Sequence, residues 1–212
     1  MITSSIAGAM AVSPATTSGP QKPMPRAKAK ILEAAQSLMV LNGYHGTGTD
    51  AIIAKAKVAK GSFFYHFADK PALIPALLED YVEQGLIGPM RKAFKDHAKP
   101  VDALIAYVDE VEHWYGKDGF RGGCLLGNLA LEVTDSDAQA QRVIAQQFDR
   151  WRNLMAEMLE GATLSLPLEQ FITLYIAVVE GVTMTIRAHK DRGKAKAEFE
   201  ACRQLVRMAF SR

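Results

Sequence analysis

The chain has 212 residues, of which 49% are hydrophobic and 23% charged, with a formal net charge of +2. That length and apolar content suit one or two compact domains with a sizeable buried core. Two cysteines far apart, Cys124 and Cys202, exclude a disulfide framework and a zinc-type ligand spacing, and no run is expected to approach the roughly 20 apolar residues of a membrane span. The expectation is a cytoplasmic protein with no membrane partner, no metal and no cofactor.

In chain order, residues 1 to 24 mix Ser, Thr, Ala, Gly and Pro without periodicity and read as a disordered tail. They lack the basic start, apolar stretch and cleavage site of a secretion signal. Met24, immediately before Pro25-Arg26, is a second candidate start. From Lys22 to Lys70 eight basic residues face only Glu33, Asp50 and Asp69, a net of +5, which leaves −3 for residues 71 to 212. A basic head on an acidic body favours a polyanion at one end only, with binding that weakens as salt rises.

Ile31, Ala34, Ala35, Leu38 and Leu41 recur at helical spacing and predict a first helix over about 27–41, stopped at Asn42-Gly43. The segment Gly46 to Lys70, GTGTDAIIAKAKVAKGSFFYHFADK, then packs two short helices around a tight turn. Ile52, Ile53 and Ala56 form the stripe of a helix over 49–56, with Gly48 or Thr49 as its cap. Lys57, Val58 and Ala59 permit only a sharp corner, which Val58 is placed to plug. In the second helix, about 60–67, Phe63 and Phe67 face inward, while Lys60, Ser62, Tyr65 and His66 can donate to phosphates or base edges.

Lys60-Gly61-Ser62-Phe63 with a following aromatic, then His66-Phe67 and Lys70, preceded by Gly43-Tyr44 and Ala56, resembles the N-terminal domain of the tetracycline-repressor (TetR) family of bacterial transcriptional regulators. The resemblance covers about residues 25–85. It implies an all-α protein with a three-helix helix-turn-helix DNA-binding domain over 25–85 and a helical ligand-binding and dimerisation domain over 86–212. The implied partners are a palindromic double-stranded operator, a second copy of the chain and a small-molecule or electrophilic effector. Candidate DNA contacts are Gly48, Thr49, Lys57, Lys60, Gly61, Ser62, Phe64, Tyr65, His66 and Lys70. Two positions depart from the family pattern. Lys57 stands where most members have a corner glycine, and Phe64 where the family usually has a tyrosine that bonds a phosphate. Phosphate anchoring is therefore expected to shift toward Lys60, His66 and Lys70.

Beyond the head the pattern is helical almost throughout. A connector helix is expected from near Asp69, carrying Leu73, Leu77 and Tyr81, kinked at Pro75 and ending around Gly85 to Pro89. Helices follow over about 101–115, 123–133 and 137–159, the last with a core stripe of Ile144, Phe148, Trp151, Met155 and Met158. The helix over 168–189 is apolar on nearly every face, so one face is expected inside its own subunit and the other against a symmetry mate, together with the helix over 194–210. Two recognition helices about 34 Å apart then suit a palindromic site.

The run from Arg121 to Glu132, RGGCLLGNLALE, resembles a Gly-Cys-Leu segment in one branch of the family that includes regulators of reactive electrophiles and small unsaturated acids. Cys124 lies near a helix start, where the macrodipole and Arg121 lower a thiol pKa; its other reading is a small buried apolar residue. Cys202 reads as core. Trp114, Phe120, Asn128, Trp151, Tyr175 and Glu180 are, with Cys124, the candidate ligand contacts, since aromatics supply contact area and a few polar groups supply orientation. Asn128 and Glu132 read equally as structural groups inside the bundle. Two alternatives stay open: an adaptor that has lost operator binding, suggested by Lys57 and Phe64, and a Cys124-dependent enzyme. No histidine is local to Cys124, and no glycine phosphate loop or serine elbow occurs, so the chain is not expected to be an enzyme.

Overall fold

The computed structural model describes residues 24–117 and 119–210, so the predicted tail lies outside the described residues except for Met24. Among the described residues every regular element is helical. The head comprises α1 (Arg26–Asn42), α2 (Thr49–Ala56) and α3 (Lys60–His66). Helix α1 buries Ile31, Leu32, Ala34, Ala35 and Met39, against which Ile52 and Ala56 of α2 and Phe63 of α3 close the core. Gly48 is the N-cap of α2, and Val58 packs against the core at the corner.

The connector differs from expectation. After a 3-10 turn at Pro71–Leu73, α4 (Ile74–Val82) passes through a π turn at Glu83–Ile87 directly into α5 (Gly88–Asp96). Gly85 and Pro89 therefore do not end it, and the boundary expected between 85 and 86 falls inside a continuous helical rod. Pro75 and Pro89 each sit in the first turn after a change of helix type, where the missing N–H costs least, so Pro75 does not act as a mid-helix kink. Glu83, at the start of the π turn, binds Arg91 of α5 at 3.0 Å and Arg150 at 2.7 Å.

The body adds α6 (Pro100–Lys117), α7 (Leu125–Val133), α8 (Ala138–Met158), α9 (Leu168–His189) and α10 (Arg192–Phe210). Asp137 opens α8 by accepting the Gln139 and Ala140 N–H groups at 2.9 Å each. Ile144, Trp151 and Met155 of its predicted stripe are buried. Helix α10 is tied to α6 by Arg203, which bonds Asp109 at 2.7 Å and also Glu112.

Helix α9, with 22 residues and a mean hydropathy of 1.5, is, contrary to expectation, long and apolar enough to cross a membrane by length and composition alone. Here it packs against α8 and α10 and buries Phe171, Ile172, Tyr175, Ile176, Val179, Val182, Thr183 and Ile186. Its remaining face, with Leu174, Ala177 and Met184, is exposed, as are Ala197 and Ala201 of α10. The last two helices thus leave a face with several apolar residues outward, although of the two apolar sides expected on α9 only Leu174 is exposed.

Lys57 adopts φ 53 and ψ 46, the left-handed conformation in which a side chain costs roughly 1–2 kcal/mol. Lys57→Gly removes that cost but makes the unfolded chain freer by roughly 0.5–1 kcal/mol. The expected result is a net stabilisation of up to about 1 kcal/mol, read from urea unfolding at fixed protein concentration. A destabilised variant would contradict a strained corner.

Candidate functional site

Helix α3 divides its aromatics by face. Phe63 is fully buried and Phe67, just past the helix end, nearly so, whereas Tyr65 is 84% exposed and Phe64 46% exposed. Lys60 and Gly61 share the outward face; Ser62 and His66 lie at its edge, half-buried. Tyr65 carries its hydroxyl outward and stacks edge-on with His66, centroids 5.0 Å apart. The start of α2 meets the same side through exposed Gly48 and half-buried Thr49. Lys60 pairs with Asp50 at 3.3 Å, both side chains well exposed, a contact weak enough to yield to a phosphate. Lys55 and Lys57 are exposed and in no ion pair among the described residues. The arrangement offers cations, hydroxyls and one stacking ring on a single exposed face, groups that can donate to phosphates and base edges.

Lys70 departs from expectation. Its Nζ donates to the carbonyls of Tyr44 at 2.9 Å and Thr47 at 3.1 Å and lies 4.1 Å from the Tyr44 ring centroid. It is half-buried and staples the loop between α1 and α2 rather than presenting its charge outward.

In the body, Cys124 is the N-cap of α7, as its position near a helix start suggested, but it is 2% exposed. Burial, reinforced by Glu180, pushes its thiol well above the ordinary range. Arg121 is exposed at the surface and does not offset the burial. The expected lowering of the thiol pKa is therefore reversed, and Cys124 is a buried thiol rather than a thiolate. Cys202 is buried as expected, its thiol pushed up to about 11.

Cys124 belongs to a polar knot. The Tyr81 hydroxyl of α4 donates to its Sγ at 3.7 Å and accepts the Leu125 N–H at 3.2 Å. Tyr115 of α6 lies beside Tyr81, and Glu180 of α9 lies beside Cys124. Burial raises the Glu180 carboxyl, and it also raises the hydroxyl of Tyr107, next to Cys124 and Glu180. Glu180 Oε1, Tyr107 OH, Tyr175 OH and Trp151 Nε1 are shut from solvent without a protein partner, and each such group costs free energy unless something else bonds it.

Of the other predicted ligand contacts, Asn128 donates to the Gly122 carbonyl at 2.9 Å and holds the glycine loop in place. Phe120, at φ 61, packs on Phe199 with centroids 6.4 Å apart and closes the same loop. Trp114 lies 5.6 Å from Tyr81, ring to ring, and lines a cleft of about 390 Å³ between α1, α4 and α6, with Glu33, Asp80, Tyr115 and Gly123. The cleft thus reaches the edge of the knot. Sequence reasoning missed Tyr81, Tyr107 and Tyr115; the available signal was a set of hydroxyl-tipped aromatics at core positions of helical stripes, where Phe or Leu is the usual choice.

Residues 31–77 match the family described as "Bacterial regulatory proteins, tetR family", and residues 100–202 match "Tetracyclin repressor-like, C-terminal domain". The transcriptional regulator AcuR of Cereibacter sphaeroides is 30% identical over 154 residues, covering 68% of this chain and 70% of that protein. The repressor NemR of Escherichia coli K12 is 28% identical over 108 residues, covering 50% of this chain and 53% of that protein. Among solved structures, the regulatory protein TetR from Rhodobacter sphaeroides superposes with a TM-score of 0.77 at 22% identity, over 87% of this chain and all of that one. Reduced NemR gives 0.71 at 19% identity, over 84% of this chain and 95% of that one. At these identities the structures establish a shared fold.

Two outcomes follow from the knot. At pH 7.5 a disulfide reagent should react with native Cys124 and Cys202 far more slowly than with the urea-unfolded chain, since each unit of raised pKa removes roughly tenfold of the thiolate; equal rates would contradict the burial. Glu180 keeps its proton in the folded state over a pH window in which the unfolded chain has lost it, so its contribution to stability falls as pH rises above about 4.5. Glu180→Gln should therefore gain stability over the wild type as pH rises above 4.5, and a gap independent of pH would contradict the raised carboxyl.

Proposed function

This chain belongs to the tetracycline-repressor family of bacterial transcriptional regulators, and from that membership we propose that it is a dimeric repressor released from a palindromic operator by a small molecule. The observation that carries the DNA-binding part is the outward face of α3 with the start of α2. Lys60, Gly61, Ser62, Tyr65 and His66 present donors there, while Phe63 and Phe67 anchor the helix from behind. Gly48, Thr49, Lys57 and Phe64 border the same surface. Phe64 contributes contact area without a hydroxyl, and Tyr65 carries the exposed hydroxyl of the pair. Residues 25–85 serve as the DNA-binding unit and 86–212 as the regulatory and dimerising one, with the rod from Ile74 to Asp96 running across the boundary and shared by both.

The exposed apolar stripe of α9, with Leu174 and Met184, joined by the small residues of α10, supports dimerisation through the last two helices. The effector is read as a reversible ligand that enters by the cleft at Trp114 and Tyr115 and reaches the knot around Cys124 and Glu180. The unpartnered Tyr107, Tyr175 and Trp151 donors suit a small molecule that brings hydrogen-bond acceptors. Raised thiol chemistry at Cys124 favours contact over covalent capture. Release requires that the ligand bind the non-operator arrangement more tightly than the operator-bound one.

The test is a mobility shift with DNA from upstream of the protein's own gene across a series of salt concentrations. Lys60→Ala should weaken binding to every duplex and lower the salt slope by about one for each contacting subunit. Leu174→Glu combined with Met184→Glu should yield monomers by light scattering and abolish the shifted complex. Unchanged slopes, or tight binding by a monomer, would overturn the reading.

A further inference from the structure

We propose that Glu132, in the last turn of α7, is the positioning residue by which the body holds the DNA-reading head in one orientation; this deepens the repressor reading above and rests on it. Its Oε2 accepts the backbone N–H of Tyr44 at 2.8 Å and that of His45 at 3.2 Å, and its carbonyl pairs with His45 Nε2 at 3.1 Å. Gly43, at φ 79, lies so close that a Cβ there would meet both carboxylate oxygens at 2.9 Å. These partners are separated from Glu132 by almost ninety positions in sequence, so the contact ties the two halves of the chain together.

The loop that Glu132 grips leads directly into α2. Glu132 takes its N–H groups, while Lys70 binds the carbonyls of Tyr44 and Thr47, so the loop is fixed through both kinds of backbone group. Gly48 and Thr49, at the loop's exit, open the helix that meets the DNA-facing surface. The side chains at 44 and 45 contribute little to the grip on their N–H groups, because a backbone donor is present whatever the residue.

The other end of α7 also touches the head. Gly122, just before it, approaches Val40 of α1 so closely that a Cβ would come within 1.9 Å of Val40 Cγ1. Helix α7 is nine residues long, about 13 Å, and is rigid over that span. Its start carries Cys124 and the Tyr81 contact to α4, and its end carries Glu132. A ligand that displaces the Cys124 end therefore moves the Glu132 end with it, and the loop before α2 follows.

The experiment compares wild type, Glu132→Gln and Glu132→Ala on two duplexes: one selected from random-sequence DNA by the wild-type protein, and a scrambled version. Both substitutions remove the charge, so the difference between them isolates the acceptor oxygen that Gln retains. Glu132→Ala should lose selected-duplex affinity on the order of tenfold while scrambled-duplex affinity changes little. Hydrogen exchange at the Tyr44 and His45 amides should accelerate, and Glu132→Gln should recover part of both. If Ala and wild type discriminate the two duplexes equally, or if Gln and Ala behave alike, the positioning role is wrong. If the wild type itself selects no duplex, the repressor reading fails instead.

Discussion

The helical rod from Ile74 to Asp96 contributes side chains to the one apolar core that head and body share, and this shared packing constrains everything else. Its first half sets Ile74, Leu77 and Leu78 against α1 and α8, and its second half packs on α6. Close-packed interiors transmit displacements rather than absorbing them. The head therefore cannot shift without the rod, nor the rod without the body. Glu83 braces the π turn by holding Arg91 on one side and Arg150 on the other. The family's shared behaviour, in which a small molecule bound in one domain alters DNA binding by another, needs only that such a rod have two stable seats.

Electrostatics divides the molecule in a second way. The head concentrates cations on a solvated face, where pairs such as Lys60 with Asp50 are cheap to break. The body instead buries titratable groups in their neutral forms: burial raises the Glu180 carboxyl, the Cys124 thiol and the Tyr81, Tyr107, Tyr115 and Tyr175 hydroxyls. A neutral hydrogen-bonding interior recognises shape and acceptor placement, whereas the exposed cationic face recognises charge. Each half thus favours a different class of partner by the dielectric in which its polar atoms sit.

Much of this was readable from residue order because local rules dominated there. The bounds of α2 coincide with its short apolar stripe, and the inward anchors Phe63 and Phe67 follow from spacing alone. Lys57 stood out only through the family resemblance, which puts a glycine at that corner, and its left-handed backbone agrees with that. The failures were of another kind. Glycine and proline near 85–89 looked like a terminus, but a proline in the first turn of α5 removes no needed donor, so the rod continues. Lys70 looked like a phosphate anchor because its charge is visible in sequence and its carbonyl partners at Tyr44 and Thr47 are not. For Cys124 the residue order left a lowered thiol and a small buried residue both open, and three-dimensional burial decides for the second. The knot around it draws residues from four separate helices and the loop before α7, which no single stretch of sequence reveals.

The π turn at Glu83–Ile87 has a further consequence for how the two halves are phased. A π turn is an α-helix with one residue inserted into its ladder. Each residue of a regular helix advances the side chains by about 100° and the axis by about 1.5 Å. Losing that one residue would restore a smooth helix and leave every local contact type possible, yet it would turn all side chains beyond Ile87 about a quarter-revolution relative to those before Glu83. The insertion is therefore a dial setting: it fixes the angle at which the body faces the head, and with it the direction in which a second subunit would carry its own reading helix.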